Sequence, residues 1–202
     1  MAETKLKIDV YRNKSIDELT KLLADPESKL DTGSAAAATA ALAASLLCRA
    51  SAICLTTNPE NDQLQWYVRN SEILRAYMVN LVDEDVKSRA PLRRAIKEDD
   101  PVRIEASRQA AVCICSEVVN MMTKCLEMIE GLLSYANSTT AFYLVESADI
   151  AIAASKMCVP YILHMGSYST DSTYQYVLKR ENELTAETQV EIYNRILNRT
   201  EG

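Results

Sequence analysis

The sequence predicts an all-α protein, and three observations carry the prediction. Only four glycines and five prolines occur in 202 residues, too few to punctuate a fold of many short strands and tight turns. The chain is rich in alanine, leucine and methionine, which suit long helices. Apolar residues recur at three- and four-residue steps, the period of a helix with one buried face. The architecture expected is an up-and-down bundle of long helices around a central helix of small residues. With 48% hydrophobic residues over this length, one full core is affordable and two domains would each be small, so 1–202 reads as a single domain.

Each element has its own signal. Ser15-Ile16-Asp17-Glu18 is a capping box opening a short helix through about Ala24, which Pro26 ends. A glycine-containing turn, Asp31-Thr32-Gly33, leads to a second helix from Ser34 to about Thr56, closed by Thr57-Asn58-Pro59. The third runs from roughly Asn61 past Val86, with Leu64, Tyr67, Val68, Leu74, Met78, Leu81 and Val82 in its stripe. Pro91 kinks or restarts it, and Asp100-Pro101 supplies an N-cap and first-turn proline for the fourth. That helix carries the most regular stripe: Ala111, Ile114, Cys115, Val118, Met122, Cys125, Ile129 and Leu132. Asn137-Ser138-Thr139 breaks it, and a fifth helix follows from about Thr140 to His164, carrying Pro160. A short helical piece, Tyr174 to Glu183, and a polar last helix, Ala186 to Asn198, complete the chain.

Composition excludes several function classes. A net charge of −6 lacks the concentrated positive field that nucleic-acid binding needs. The apolar run Ala35 to Thr57 is long, but it is mostly alanine and carries Arg49, so it reads as a buried central helix and not a membrane span. The N-terminus has no apolar signal segment. Six cysteines without a C-x-x-C pattern read as buried free thiols, which places the chain in a reducing cytoplasm. One histidine, His164, excludes a histidine-cluster metal site and reads as a satisfied helix-end residue. Met121, Met122 and Met128 read as core.

The candidate chemistry lies at the start of the second helix and the end of the third. A helix start presents backbone N–H groups, a natural site for an anion or carbonyl oxygen, here at Thr32, Gly33 and Ser34. Stepping back from Asp85 gives Leu81, Met78 and Leu74, so its carboxylate extends inward along an apolar stripe, where proton affinity rises and acid/base work near neutral pH becomes accessible. Asp83 lies about 200° round the helix and faces elsewhere. The competing reading of Asp85 is a solvent-facing or arginine-paired acid, with Arg89 as the partner. Arg93, Arg94 and Lys97 form either a hold for a polyanionic tail or a solvated basic face.

In this order the parts resemble the cyclodeaminase domain of formiminotransferase-cyclodeaminase and its stand-alone cyclodeaminase and methenyltetrahydrofolate cyclohydrolase relatives, over nearly the whole chain. Asp31-Thr32-Gly33-Ser34-Ala35 resembles the family's T-P-G-G-G-S loop, Leu81 to Val86 its D-x-x-A-F segment with Asp85 at the acidic position, and Asn137 the first asparagine of G-N-x-N-x-x-S-D. Three departures stand out: Ser34 and Ala35 replace two glycines, Thr139 and Phe142 replace the second asparagine and the serine, and Tyr143 replaces the aspartate, with Glu146 and Asp149 the nearest acids beyond it. The resemblance implies conversion of formimino- or methenyl-tetrahydrofolate without a metal or further cofactor. Asp85 would be the catalytic acid/base, with Thr32, Gly33, Ser34 and Asn137 on the folate-like substrate. It also implies a homodimer or higher homo-oligomer. Two alternatives stay open: an inactive family member serving as a binding or assembly scaffold, and a remodelled enzyme for another small anionic substrate.

Overall fold

The computed structural model describes residues 10–200. Seven α-helices make up the described chain: α1 (Ile16–Ala24), α2 (Thr32–Thr57), α3 (Asp62–Ser88), α4 (Ala90–Lys97), α5 (Pro101–Leu132), α6 (Ser138–Gly166) and α7 (Ser172–Thr200). A 3-10 turn, Leu133–Tyr135, links α5 to α6, and no strand occurs among the described residues. The all-α bundle around a small-residue helix is the fold the composition predicts.

Contacts between named residues fix the helix directions. Ser34 meets Asp85 and Cys48 meets Glu72, so α2 and α3 are antiparallel. Ser147 donates to the Ala43 carbonyl at 2.8 Å and Arg49 lies over Tyr143, so α6 runs against α2 as well. Gln189 reaches both Ser155 and Val119, and Arg195 reaches Glu130, which sets α7 antiparallel to α6 and parallel to α5. The start of α2, the end of α3, α4, the start of α5 and the end of α6 therefore share one end of the bundle.

Alanine explains why α2 can be central. Ala36, Ala37, Ala40, Ala43 and Ala44 are fully buried, and their single methyl groups let α3, α5 and α6 approach the same helix from different sides. By length and composition α2 is long and apolar enough to cross a membrane, and here its alanine faces are used in packing. All eight residues of the predicted α5 stripe are buried.

Local signals explain most boundaries. The Ser15–Glu18 capping box forms in both directions. Asn61, Asp100 and Asn137 cap α3, α5 and α6, each through its side-chain oxygen. Pro91 restarts the chain as α4, with Arg89 the shared cap between helices. Pro160 lies inside α6. Its ring and Lys156, whose carbonyl it leaves without a donor, are both on the exposed side, where water can serve that carbonyl.

Four sequence readings change and a fifth, that of Asp83, gains a detail. Thr32 and Gly33 belong to α2 together with Ser34, because Asp31 is the N-cap. The last two helical pieces are one helix, α7: nothing between Glu183 and Ala186 breaks it, since the Thr185 hydroxyl turns back to the Glu181 carbonyl at 2.9 Å. Asp83 faces away from Asp85 yet is buried, accepting the Tyr11 amide at 2.6 Å and pairing with Arg12 at 3.5 Å. All six cysteines are free, but Cys113 is exposed and Cys48 partly so. Met122 is core, whereas Met121 and Met128 line a groove between α3 and α5.

Candidate active site

Asp85 lies one turn before the end of α3, below Met78, Leu81 and Val82, and is fully buried. Its Oδ2 accepts the Ser34 backbone N–H at 2.9 Å and the Ser34 hydroxyl at 2.8 Å. The first turn of α2 thus serves the acid directly. Asp85 Oδ1 has no hydrogen-bond partner and packs against Gly33, where an added Cβ would stand 2.1 Å away. Glycine is favoured at position 33 by this close approach, not by a turn.

The electrostatics shift the acid toward its neutral form. Burial pushes the Asp85 carboxyl above the ordinary aspartate range, and the Ser34 hydrogen bonds and Arg89 only partly oppose it. The Ser34 hydroxyl also lies 3.1 Å from the Val82 carbonyl. One hydroxyl proton cannot serve both acceptors. With Asp85 ionised it points to Oδ2; with Asp85 protonated, the acid donates to Ser34 Oγ, which donates onward to Val82. The serine can therefore follow the proton on Asp85 without leaving its place.

Arg89 closes the site on its outer side. Its guanidinium pairs with Asp31, stands 3.8 Å from Asp85 Oδ2, and stacks over the Tyr161 ring at 5.2 Å. Burial alone disfavours the arginine's charge, but the bond to Asp31 and the nearby negative groups outweigh it and hold the cation more firmly. For Asp31, burial is likewise outweighed by the Arg89 bond, and its carboxyl is held below the usual range. The arginine-paired reading of Asp85 and the inward-pointing reading are both realised in one geometry.

Of the residues marked in the sequence, Asp85, Gly33 and Ser34 are brought together. Thr32 is next to them, its amide and hydroxyl both directed at Asp31 Oδ1 at 2.7 and 3.3 Å. The amides of Thr32, Ser34 and Ala35 are engaged by Asp31, Asp85 and Asp31 again, so three amides of this helix start are committed to the two acids. Asn137 does not join them. It caps α6 by accepting from the Thr140 amide and hydroxyl, both at 2.9 Å. Because α6 opposes α2 at Ser147 and Ala43, helical rise puts Asn137 about 30 Å from Gly33 along the bundle. Within one chain Asn137 therefore does not stand beside Asp85. Tyr143 lies under Arg49 at 4.7 Å and Asp149 accepts from Tyr193, so neither Tyr143 nor its acidic neighbour approaches the site. Arg93 folds back on the Val86 carbonyl at 2.6 Å, while Arg94 and Lys97 are exposed.

Beyond Arg89 a cleft of about 480 Å³ opens between α4, α5 and α6, lined by Tyr161, His164, Tyr168 and Arg108 among others. Sequence reasoning named only Arg89 and His164 here. The i,i+4 spacing of Asp85 and Arg89 was the one local signal; Tyr161 and Arg108 arrive from other helices, which no local pattern specifies. No group of three or more metal-ligating side chains occurs among the described residues.

A family model for formiminotransferase-cyclodeaminase matches residues 15–165. The chain belongs to the formiminotransferase-cyclodeaminase family. Among solved structures, formiminotetrahydrofolate cyclodeaminase from Thermotoga maritima superposes with a TM-score of 0.83, covering 94% of this chain and 97% of that one at 18% identity. A likeness at that identity establishes the shared cyclodeaminase fold. No curated protein matches the sequence. Within the formiminotransferase-cyclodeaminase match lie both arms of the site, the start of α2 and the end of α3.

Proposed function

We propose that the protein converts a one-carbon unit carried on tetrahydrofolate, by cyclising the 5-formimino group with loss of ammonia or by hydrolysing the 5,10-methenyl bridge. Both reactions move a proton at nitrogen or at the attacking water and create charge at the one-carbon centre. The observation that carries this reading is Asp85: a fully buried acid, held through one oxygen by Ser34 while its other oxygen has no partner. In its protonated form it can give a proton to departing ammonia; ionised, it can take one from N10 or from water, with Ser34 following. Arg89 stands between Asp85 and the cleft, so it must turn aside for a ligand to reach the acid.

We also propose that the working unit is a cytoplasmic homodimer. Leu42 supports this: on α2 it is 57% exposed, an apolar side chain that a second copy would cover. A scaffold without catalysis remains the rival reading, favoured by the closed Asp31–Arg89–Asp85 cluster, which would serve equally as a staple between α2 and α3.

The deciding experiment follows methenyl-bridge absorbance with wild type and Asp85→Asn, alongside ammonia release from the formimino substrate. Acid/base catalysis by Asp85 predicts a loss of about 10²-fold or more in the variant. Equal turnover in both proteins would remove Asp85 from the chemistry, and no turnover in wild type for either substrate would favour the scaffold.

A further inference from the structure

Arg89 divides its guanidinium between two acids. Its Nη2 donates to Asp31, and the Tyr161 ring covers one face of the group at 5.2 Å. Its Nη1 stands 3.8 Å from Asp85 Oδ2 and is buried with no hydrogen-bond partner. On the carboxyl group, Oδ2 is engaged by the Ser34 amide and hydroxyl, while Oδ1 is also buried and without a partner. Among the described residues no other buried side-chain nitrogen or oxygen is left in this way, and the two belong to adjacent groups, one a donor and one an acceptor.

Folded proteins leave few buried polar atoms unpaired. A separation of 3.8 Å is too long for an N–H···O bond, which spans about 2.7–3.2 Å, and a polar contact of that length is commonly closed by a bridging molecule. The bridge must accept from a guanidinium N–H and donate to a carboxylate oxygen. It must also be small, because both atoms are sealed from solvent. Water meets these conditions with two partners. Ammonium, the main form of ammonia near neutral pH, does not, since it has no lone pair to accept from Arg89.

We propose that one water molecule is held between Arg89 Nη1 and Asp85 Oδ1, and that it is the nucleophile in hydrolysis of the 5,10-methenyl bridge. The inference deepens the folate reading and rests on it for the substrate; of the two reactions it selects the one that consumes water. Arg89 is a positioning residue: it holds the water until the substrate turns it aside, and the water stays on Asp85. The water oxygen then bonds to the methenyl carbon while one of its protons passes to Oδ1, giving a neutral carbinolamine. As the bond from that carbon to one bridged nitrogen breaks, Asp85 gives its proton to the nitrogen and takes the hydroxyl proton, leaving a formyl amide and one proton for release to solvent.

The first test is a crystal structure of the full-length protein without folate, at about 1.8 Å resolution or better. A water within about 3.2 Å of both atoms is expected; empty density there, or a direct bond from Nη1 to Oδ1, would overturn the site. The second test compares methenyl hydrolysis with ammonia release from the formimino substrate in wild type and Arg89→Met, whose side chain is of similar reach and has no donor. With helical circular dichroism unchanged, kcat for hydrolysis should fall about tenfold or more, and further than kcat for ammonia release. Arg89→Lys, which keeps a donor, should lose less. Equal losses in the two reactions, or equal losses in the two variants, would overturn the role of the water. The crystallographic outcome holds whether or not either variant folds. Methenyl turnover without the bridging water would sink the site alone, whereas the water without turnover of either folate would uphold the site and sink the catalytic reading.

Discussion

Gly33→Ala is the most direct probe of how α2 and α3 meet. The new methyl would stand 2.1 Å from Asp85 Oδ1 and 2.6 Å from its Cγ, so the carboxyl has to turn away. Because the obstructing atoms end a side chain, the cost lies in what that side chain gives up. Turning away forfeits at least one of the bonds from Ser34, at 2.9 and 2.8 Å, and in the ionised form of Asp85, which accepts both, a hydrogen bond to the charged group contributes about 1.5–3 kcal/mol. Replacing glycine within a helix returns up to about 1 kcal/mol. The net loss expected is about 1–2 kcal/mol, read as a urea midpoint lowered by roughly 0.5–1 M for a typical slope. The decisive comparison is the same change in an Asp85→Ala background, where the obstruction is gone. There Gly33→Ala should be neutral or stabilising by up to about 1 kcal/mol, giving a coupling of about 1–3 kcal/mol. A wild-type-like midpoint for Gly33→Ala, or an equal loss in both backgrounds, would refute the close approach.

Three further outcomes follow from the same contacts. Burial raises Asp85 above the ordinary 3.8, so the folded chain keeps this proton longer than the unfolded one; its stabilising contribution is full below the unfolded value and is lost as pH rises through the folded one. The urea stability of wild type relative to Asp85→Asn should therefore decline as pH rises above about 4, and a constant or widening advantage contradicts the buried acid. Gln189→Ala removes an amide nitrogen that lies 3.1, 2.9 and 3.0 Å from Val119 O, Thr123 Oγ1 and Ser155 Oγ, two of which its two N–H groups serve at a time; a loss of about 2–3 kcal/mol is expected in chemical denaturation, and less than ~0.5 would mean α7 is not locked through it. Leu42→Glu should shift light-scattering mass from dimer to monomer with the fold intact, whereas a monomeric wild type removes the proposed interface.

The helix inventory and the central place of α2 were legible because periodicity, capping residues and alanine content are local properties of the chain. Asp85 could be marked for the same reason: three apolar residues at helical steps behind it point its side chain inward. The position of Asn137 was not legible. Its capping chemistry with Thr140 looks the same in sequence whether it serves a ligand or a helix end, and only the antiparallel pairing of α6 with α2 places it at the far end of the bundle. Likewise no breaker residue announced whether α7 was one helix or two.

By itself the sequence determined which segments coil, which faces they bury and which acid would be drawn into the apolar interior, since each follows from neighbours within a few residues. Tertiary structure decided what that acid meets. Ser34, Arg89, Tyr161 and Arg108 converge from α2, the end of α3, α6 and α5, and the directions of four helices packed on alanine, rather than any local spacing, set the distances between them.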